Sequence, residues 1–470
     1  MKTIFLTLYA CICSVAMAQN ITVQLGAAIN KLEADEQFKH AIISMYVVDS
    51  KKGKTVFEKN AQTGLAPASC QKVVTSVSAF ELLGKEYQYK TYIGKDYSSK
   101  IDKSDAGCLF VIGSGDPTLG SGRWNSTTDT AFFKRVLNTL KKNGYNSFGE
   151  DLVLEDYLYG TAVLPDGWIW QDIGNYYGAG CYSVNWRENQ YELLLQPDLK
   201  VGFPAEIASV KPFIFDVVYD NHIRTGKAGS GDNAYIYAAP FSNIITTSGT
   251  IPQQQKPFAI KGSMPNPSRV LGTELLNYLV KNKITFKGSS YSALERSLHD
   301  MPARKATHFI DSVLSPELDS INYWFLKKSV NLYGEAFVKT IAYEKIRSGS
   351  TDTGIAIIKD FWSKRGIEKA ALNMFDGSGL SPANRITTNA LVTVMQYARQ
   401  QQWFTSFYNA LPEMNGIKMK DGYINGVRSY TGYIKSKAGT EYSFSFIVNN
   451  FDGNAGTVRE KIWKVLDILK

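Results

Sequence analysis

Apolar and polar positions change rhythm several times along this chain. From Ile42 to Glu58 two short runs of β-favouring residues flank the polar stretch Asp49-Ser50-Lys51-Lys52-Gly53-Lys54, which predicts two strands joined by a turn. Asn30 to Lys39, just before them, reads as a helix. After Pro67-Ala68 the spacing becomes helical: Val73, Val74, Val77, Phe80 and Leu83 recur, so a helix is expected from Ser69 to Leu83, closed by Gly84. Alternation returns near the end. Gly416 to Asn450 interleaves Tyr, Val, Ile and Phe with smaller residues and breaks at Ile424-Asn425-Gly426 and Lys437-Ala438-Gly439. That predicts three antiparallel strands, followed by a helix from Val458 to Leu469.

Two N-terminal and three C-terminal strands can share one five-stranded antiparallel sheet with the terminal helices over a face. On this reading residues 19–87 and 288–470 form one discontinuous α+β domain, and residues 88–287 are inserted into it. The inserted region is rich in Tyr, Gly, Asp and Asn, with short β-like runs at Cys108 to Ile112, Leu152 to Leu154, Gln190 to Leu195 and Tyr235 to Ala238. It is expected to be mostly β, as two small domains.

The first residues carry one basic side chain, Lys2, then an apolar run from Ile4 to Val15 and the small-x-small site Ala16-Met17-Ala18. This is the layout of a secretory signal, cleaved after Ala18, and the run is too short to span a bilayer; a short buried helix is the plainer alternative. An exported location, the periplasm, and a mature chain without a transmembrane anchor follow. At 470 residues the chain exceeds one ordinary core. Its net charge of +9 is spread out rather than clustered, so no nucleic-acid partner is expected. Of five cysteines, Cys11 and Cys13 fall in the signal; Cys70, Cys108 and Cys181 leave room for one Cys108–Cys181 bridge. Only four histidines are present, with no HExxH and no CxxC, so neither a metal nor another cofactor is expected, and a Ser-His-Asp hydrolase is poorly supported.

Three short motifs carry the candidate chemistry. Ser69-Cys70-Gln71-Lys72 opens the predicted helix, and a spacing of three puts Ser69 and Lys72 on one face. A serine hydroxyl needs a base beside it, and a lysine serves if burial and a second cation hold it neutral. Alone, SxxK also fits a capped surface helix. Ser329-Val330-Asn331 precedes an apolar helical run; its hydroxyl can relay a proton and its amide can bond a peptide, although a helix cap explains it too. The third element is a strand cation followed by glycine, where substrate backbone can lie close. Lys420-Asp421-Gly422 and Lys437-Ala438-Gly439 both qualify, but only Lys420 leaves two further strands downstream, which makes the second a hairpin turn.

In this order the three motifs resemble the signatures of penicillin-binding proteins and serine β-lactamases. The 260 positions from Ser69 to Ser329, and 91 more to Lys420, are similar to the class C low-molecular-weight penicillin-binding proteins, D-Ala-D-Ala carboxypeptidases and endopeptidases whose transpeptidase-like domain carries a large insertion there. Ala66-Pro67-Ala68-Ser69, Gly113-Ser114-Gly115-Asp116-Pro117-Thr118-Leu119 and Asp376-Gly377-Ser378-Gly379-Leu380-Ser381 add to the likeness. Without it, the loop at 113 would read as a turn before it read as a phosphate loop.

The resemblance implies hydrolysis of peptidoglycan stem peptides through an acyl-enzyme on Ser69, and acylation by β-lactams. Lys72 would take the serine proton, Ser329 would pass one to the leaving amine, Asn331 would bond the substrate amide, and Lys420 would supply positive potential. The N–H groups of Ser69 and Tyr423 would form the oxyanion hole, and Gly422 would let the substrate strand approach. Two departures stand out. Relatives usually carry a hydroxyl residue where this chain has Asp421, which must be turned away, protonated or matched to another substrate. Pro382 stands where an arginine often binds a second substrate carboxylate; Glu155, in the insertion, remains a candidate contact. The competing readings are a catalytically weak protein that binds peptidoglycan or a partner, and a hydrolase of other D-amino-acid peptides.

Overall fold

The computed structural model describes residues 21–97 and 106–470; the export segment read at residues 1–18 lies outside them. The chain divides into two compact units. The first comprises the chain up to Lys85, Asn322–Val330 and Ile355–Lys470, and the second comprises Glu86–Ile321 and Asn331–Gly354.

In the first unit the predicted strands form at both ends of the chain. They are β1 (Ile42–Asp49), β2 (Thr55–Lys59), β3 (Glu413–Met414), β4 (Ile417–Ile424), β5 (Val427–Lys435) and β6 (Glu441–Asn449), in the order β3-β4-β5-β6-β1-β2. The five expected strands are joined by the two-residue β3, which pairs only with Ile417 and Lys418. Pairing of β1 with β6, from Ile42 against Asn449 to Asp49 against Tyr442, is antiparallel and locks the two ends of the chain together.

Strand alternation gives the sheet two unlike faces. Met45, Val47, Met419, Tyr430, Phe444, Phe446 and Val448 bury one face against Leu25 and Ile29 of an N-terminal helix and Val458 and Ile462 of the C-terminal helix. The N-terminal helix runs over 21–33 and not over Asn30–Lys39. Leu25, Ile29 and Leu32 are its buried stripe, and Asp35 then caps a separate short turn at Glu36–Phe38. The other face carries small hydroxyl residues. Ser44 meets Thr388 at 2.8 Å and Thr431 meets Ser445 at 2.9 Å, so a helix can approach closely with its polar neighbours satisfied. Helices α1 (Lys72–Leu82) and α2 (Thr388–Arg399) occupy this side, α2 packing on β1, β6 and α1; the C-terminal helix on the opposite face is α3 (Ala455–Leu466).

The second unit is larger than the expected insertion and is one compact body, not two. Strand His308–Leu314 pairs with Lys90–Tyr97 at the edge of a five-stranded sheet, which ties the chain beyond residue 287 into this unit. Helices Asp129–Lys142 and Pro267–Lys281 pack into its core, so it is not purely β. The four short β runs read from the insertion all form strands: Ala106–Ile112, Leu152–Glu155, Gln190–Gln196 and Asn233–Tyr237. The Cys108–Cys181 bridge that the sequence left room for is absent. All three described cysteines are free and buried, and burial pushes the thiols of Cys108 and Cys181 up to about 12.

Candidate active site

Ser69 does not sit inside the α-helix as expected. It lies in a 3-10 turn, Ala68–Gln71, and the α-helix begins at Lys72. The preceding Ala68 has φ of +45°, a left-handed backbone that an L-residue with a Cβ rarely adopts, and this breaks the helix ahead of the serine. From Leu65 to Phe80 every residue is buried except Ser69. An otherwise closed segment therefore opens at one hydroxyl. Cys70, next to it, is no competitor: its Sγ faces the Lys420 carbonyl at 3.2 Å, and burial raises the thiol to about 11.

Lys72 is fully buried, with Nζ 2.9 Å from Ser69 Oγ and donating to the Ser378 carbonyl at 2.7 Å. The Phe325 ring stands 5.8 Å from the same nitrogen. The Ser378 carbonyl belongs to the Asp376–Ser381 loop, which is built around one carboxylate. Asp376 Oδ1 accepts from Gly379 N, Gln71 Nε2 and Asn384 Nδ2 at 2.8, 2.8 and 3.0 Å, and Oδ2 accepts from Ser381 N at 2.6 Å. Thr75 on α1 donates to the Gly377 carbonyl at 2.6 Å. Gly379 has φ of +82°, and a Cβ there would collide with the Ala68 carbonyl, so this loop and the Ala68–Gln71 turn are fitted to one another. The sequence pattern at 376–381 marked the loop; its task of aiming Lys72 is visible only in three dimensions.

On β4 the expected alternation holds. Lys420 and Gly422 lie opposite Thr431 and Ser429, on the face shared with α1, while Asp421 and Tyr423 lie opposite Tyr430 and Arg428 on the other. A Cβ on Gly422 would sit 2.6 Å from the Pro67 carbonyl and 2.9 Å from the Ser69 nitrogen, so this glycine lets the strand and the Ala68–Gln71 turn touch. Asp421 is neither protonated nor free. Burial works against its charge, but Lys420 and then Arg428 hold its carboxyl below the usual range. Lys420 Nζ donates to Asp421 Oδ1 at 3.0 Å and to the Asp421 carbonyl at 2.8 Å, so the carboxylate lies at the strand edge where the two faces meet.

Ser329, with φ of +56°, is the next-to-last residue of the Asn322–Val330 segment of the first unit, and Asn331 opens the helix Asn331–Ile346 of the second. Within that unit Asn331 Nδ2 donates to the Tyr177 carbonyl at 2.8 Å. Glu155 ends strand Leu152–Glu155, and burial, together with Asp156, raises its carboxyl. The glycine loop after Ile112 is a turn: Asp116 Oδ1 accepts from the Thr118 amide and hydroxyl at 2.8 and 2.7 Å, and Asn185 donates to the Gly115 and Asp116 carbonyls. Among the described residues no three His, Cys, Asp or Glu gather to hold a metal ion, and no helix is long and apolar enough to cross a membrane.

Comparison with known proteins supplies the family. Residues 25–416 match the model of the D-Ala-D-Ala carboxypeptidase 3 (S13) family, a span that ends just before the Lys420 motif. A D-alanyl-D-alanine carboxypeptidase of Actinomadura sp. is 24% identical over 92% of this chain and 82% of its own length. The carboxypeptidase DacB of Haemophilus influenzae is 22% identical over 84% and 83%. The crystal structure of penicillin-binding protein 4 from Haemophilus influenzae superposes with a TM-score of 0.76 at 18% identity, over 96% of this chain and 99% of that one. A six-stranded sheet that joins both chain ends, a buried Lys72 on an open Ser69 and this family match agree: the chain belongs to the D-Ala-D-Ala carboxypeptidase 3 (S13) family and is a serine-type D-Ala-D-Ala carboxypeptidase of the penicillin-binding class.

Proposed function

We propose that the chain hydrolyses peptidoglycan stem peptides, with Ser69 as the acylated nucleophile. The observation that carries this is the pairing of the one open residue between Leu65 and Phe80 with a fully buried amine 2.9 Å away. Because Lys72 already gives an N–H to the Ser378 carbonyl, its neutral form directs a lone pair at Ser69 Oγ and takes the serine proton as the hydroxyl attacks the penultimate D-Ala carbonyl. The Ser69 N–H, held beside Gly422, and the Tyr423 N–H receive the oxyanion. Ser329 returns a proton to the leaving amine, Asn331 binds the substrate amide, and Lys420 attracts the carboxylate end. Glu155 contacts the acceptor side. Water then cleaves the ester, and a β-lactam forms the same ester and leaves slowly. Export to the periplasm after cleavage at Ala18 suits this substrate.

Intact-protein mass spectrometry after incubation with a fluorescent penicillin tests the reading. A single adduct is expected on the Ser69 peptide, and none in Ser69→Ala; an unlabelled native protein beside a labelled control enzyme would overturn it, and rapid turnover of the drug would indicate a β-lactamase.

The ion pair on Lys420 favours a second reading, in which the fold binds peptidoglycan with little turnover because Asp421 blunts the strand cation. An Asp421→Thr variant separates the two. If Asp421 restricts the substrate, hydrolysis of a D-Ala-D-Ala peptide rises by about tenfold, one charge-assisted hydrogen bond's worth; an unchanged rate shows that Asp421 is already accommodated.

A further inference from the structure

Behind β4, on the face that α3 covers, donors outnumber acceptors. Arg428 and Tyr430 project from β5 on the same face as Tyr423 and Asp421, their cross-strand partners. Helix α3 brings up Arg459 and Trp463, one turn apart, with the guanidinium 5.1 Å from the indole ring. Four atoms of this group, Arg428 Nε, Tyr430 Oη, Arg459 Nε and Trp463 Nε1, are buried and have no hydrogen-bond partner among the described residues. Tyr430 itself is 1% exposed. Burial raises its phenol to about 12 while Arg428 and Arg459 pull the other way, so both guanidinium groups lie within electrostatic reach of one hydroxyl. Neither arginine has an ion pair among the described residues; Asp421 gives its carboxylate to Lys420.

Buried donors left unpaired cost stability, and two cations that share one carboxylate, itself bonded to Lys420, leave net positive charge behind the strand. Donors of this kind, two of them on guanidinium groups, match a planar anion, and a carboxylate fits a guanidinium fork in two parallel hydrogen bonds. The group also reaches a place where a peptide can lie. Outside β4, residues 420–424 have no strand partner among the described residues, because β3 pairs only with 417 and 418 and the Met419 N–H goes to the Pro412 carbonyl. Tyr423, 53% exposed on that open edge, carries the Arg428 guanidinium 4.9 Å from its ring centre. Both arginines are only partly buried, so each keeps a reachable side.

We propose that Arg428, backed by Arg459 and the Tyr430 hydroxyl, receives the terminal carboxylate of a stem peptide laid along the open edge of β4, in place of the hydroxyl that Asp421 displaces. This rests on the reading of Ser69 as the nucleophile. Asp421, fixed by Lys420 on one side and within reach of Arg428 on the other, then serves as a spacer between the two cations, and the strand end keeps a net positive charge for an anionic substrate.

The test compares one D-Ala-D-Ala peptide with a free terminal carboxylate and the same peptide as its carboxamide. The wild type should prefer the acid. Arg428→Gln should lose about 10- to 100-fold in kcat/KM on the acid, mostly through KM, and far less on the amide; Arg459→Gln should shift the same ratio less. Equal losses on both peptides, no loss on either, or a wild type indifferent to the carboxylate would overturn the proposal. A free anion as occupant would show as chloride or phosphate raising the melting temperature of the wild type but not of Arg428→Gln, with the acid-to-amide ratio unmoved, and would also overturn it. A carboxylate-free p-nitrophenyl acyl ester serves as reference. If it fails to acylate Ser69 in the wild type, the nucleophile assignment fails; if it acylates wild type and Arg428→Gln alike, the peptide comparison bears on the carboxylate receptor alone.

Discussion

Replacing Lys72 with methionine is expected to slow acylation of Ser69 by on the order of 10³-fold while leaving the fold intact. Methionine keeps most of the buried stem's volume, so the tightly packed surroundings, Phe325 included, stay filled. What is lost is the amine 2.9 Å from the hydroxyl and its anchor on the Ser378 carbonyl. A thousandfold loss corresponds to about 4 kcal/mol of transition-state stabilisation, well beyond the worth of one ordinary hydrogen bond. The measurement is the rate of adduct formation on Ser69 by mass spectrometry, with a thermal melt beside it. A variant that acylates within tenfold of the wild type would remove Lys72 from the role of base. A variant that melts far lower would show instead that the buried amine holds the fold.

The second large effect is expected at Gly422. An added methyl would fall 2.6 Å from the Pro67 carbonyl and 2.9 Å from the Ser69 nitrogen, and against Ser429 Oγ, which itself donates to the Pro67 carbonyl. None of these neighbours is the loose end of a long side chain, so the strand or the Ala68–Gln71 turn must move. Overpacking of this kind costs about 1–3 kcal/mol, and a shift of about 1 Å at a catalytic group costs about 10²-fold in rate. Gly422→Ala should therefore lower both the melting temperature and, by about 10²-fold, kcat/KM. Gly26→Ala is the matching control: Gly26 lies within the 21–33 helix, and the nearest atom to its added methyl is Phe57 Cε2 at 4.0 Å. There the same change should stabilise by about 0.5–1 kcal/mol through helix propensity and leave turnover unaltered. A Gly422→Ala variant that behaves like the control would mean that strand and turn do not need their close approach.

The two effects share a cause. Ser69 is positioned by three separate pieces of the first unit: the turn that starts at Ala68, the Asp376–Ser381 loop and the strand edge at Gly422. Each contact between them is a backbone carbonyl or amide meeting a side chain or a bare glycine. Such contacts have no slack, which is why small substitutions at Lys72 and Gly422 should matter more than larger ones on the surface.

What could be read from the chain alone was whatever rests on local order. A spacing of three brought Ser69 and Lys72 together, period-two alternation placed the five main strands, and polar turns marked the hairpins, so the contact of these two side chains and the sheet were legible in the chain itself. Counting strands also chose Lys420 over Lys437, and Ser436–Thr440 is indeed a turn between β5 and β6. Tertiary structure decided the rest, because it depends on partners hundreds of positions apart. No periodicity announces that the Ser378 carbonyl will face Lys72, that strand His308–Leu314 will return to pair with Lys90–Tyr97 and carry the unit boundary past residue 287, or that Cys108 and Cys181 will be buried apart as free thiols. The start of α1 is a finer case: propensity favoured a helix from Ser69, but a left-handed Ala68 fitted against Gly379 moved it to Lys72 and left the serine in a tighter turn. For Asp421 the sequence posed a conflict between a carboxylate and an anionic substrate, and only the arrangement of Lys420 and Arg428 around it showed how the charge is held. Electrostatics of this kind sums over neighbours from several elements, and a linear chain does not disclose which elements become neighbours.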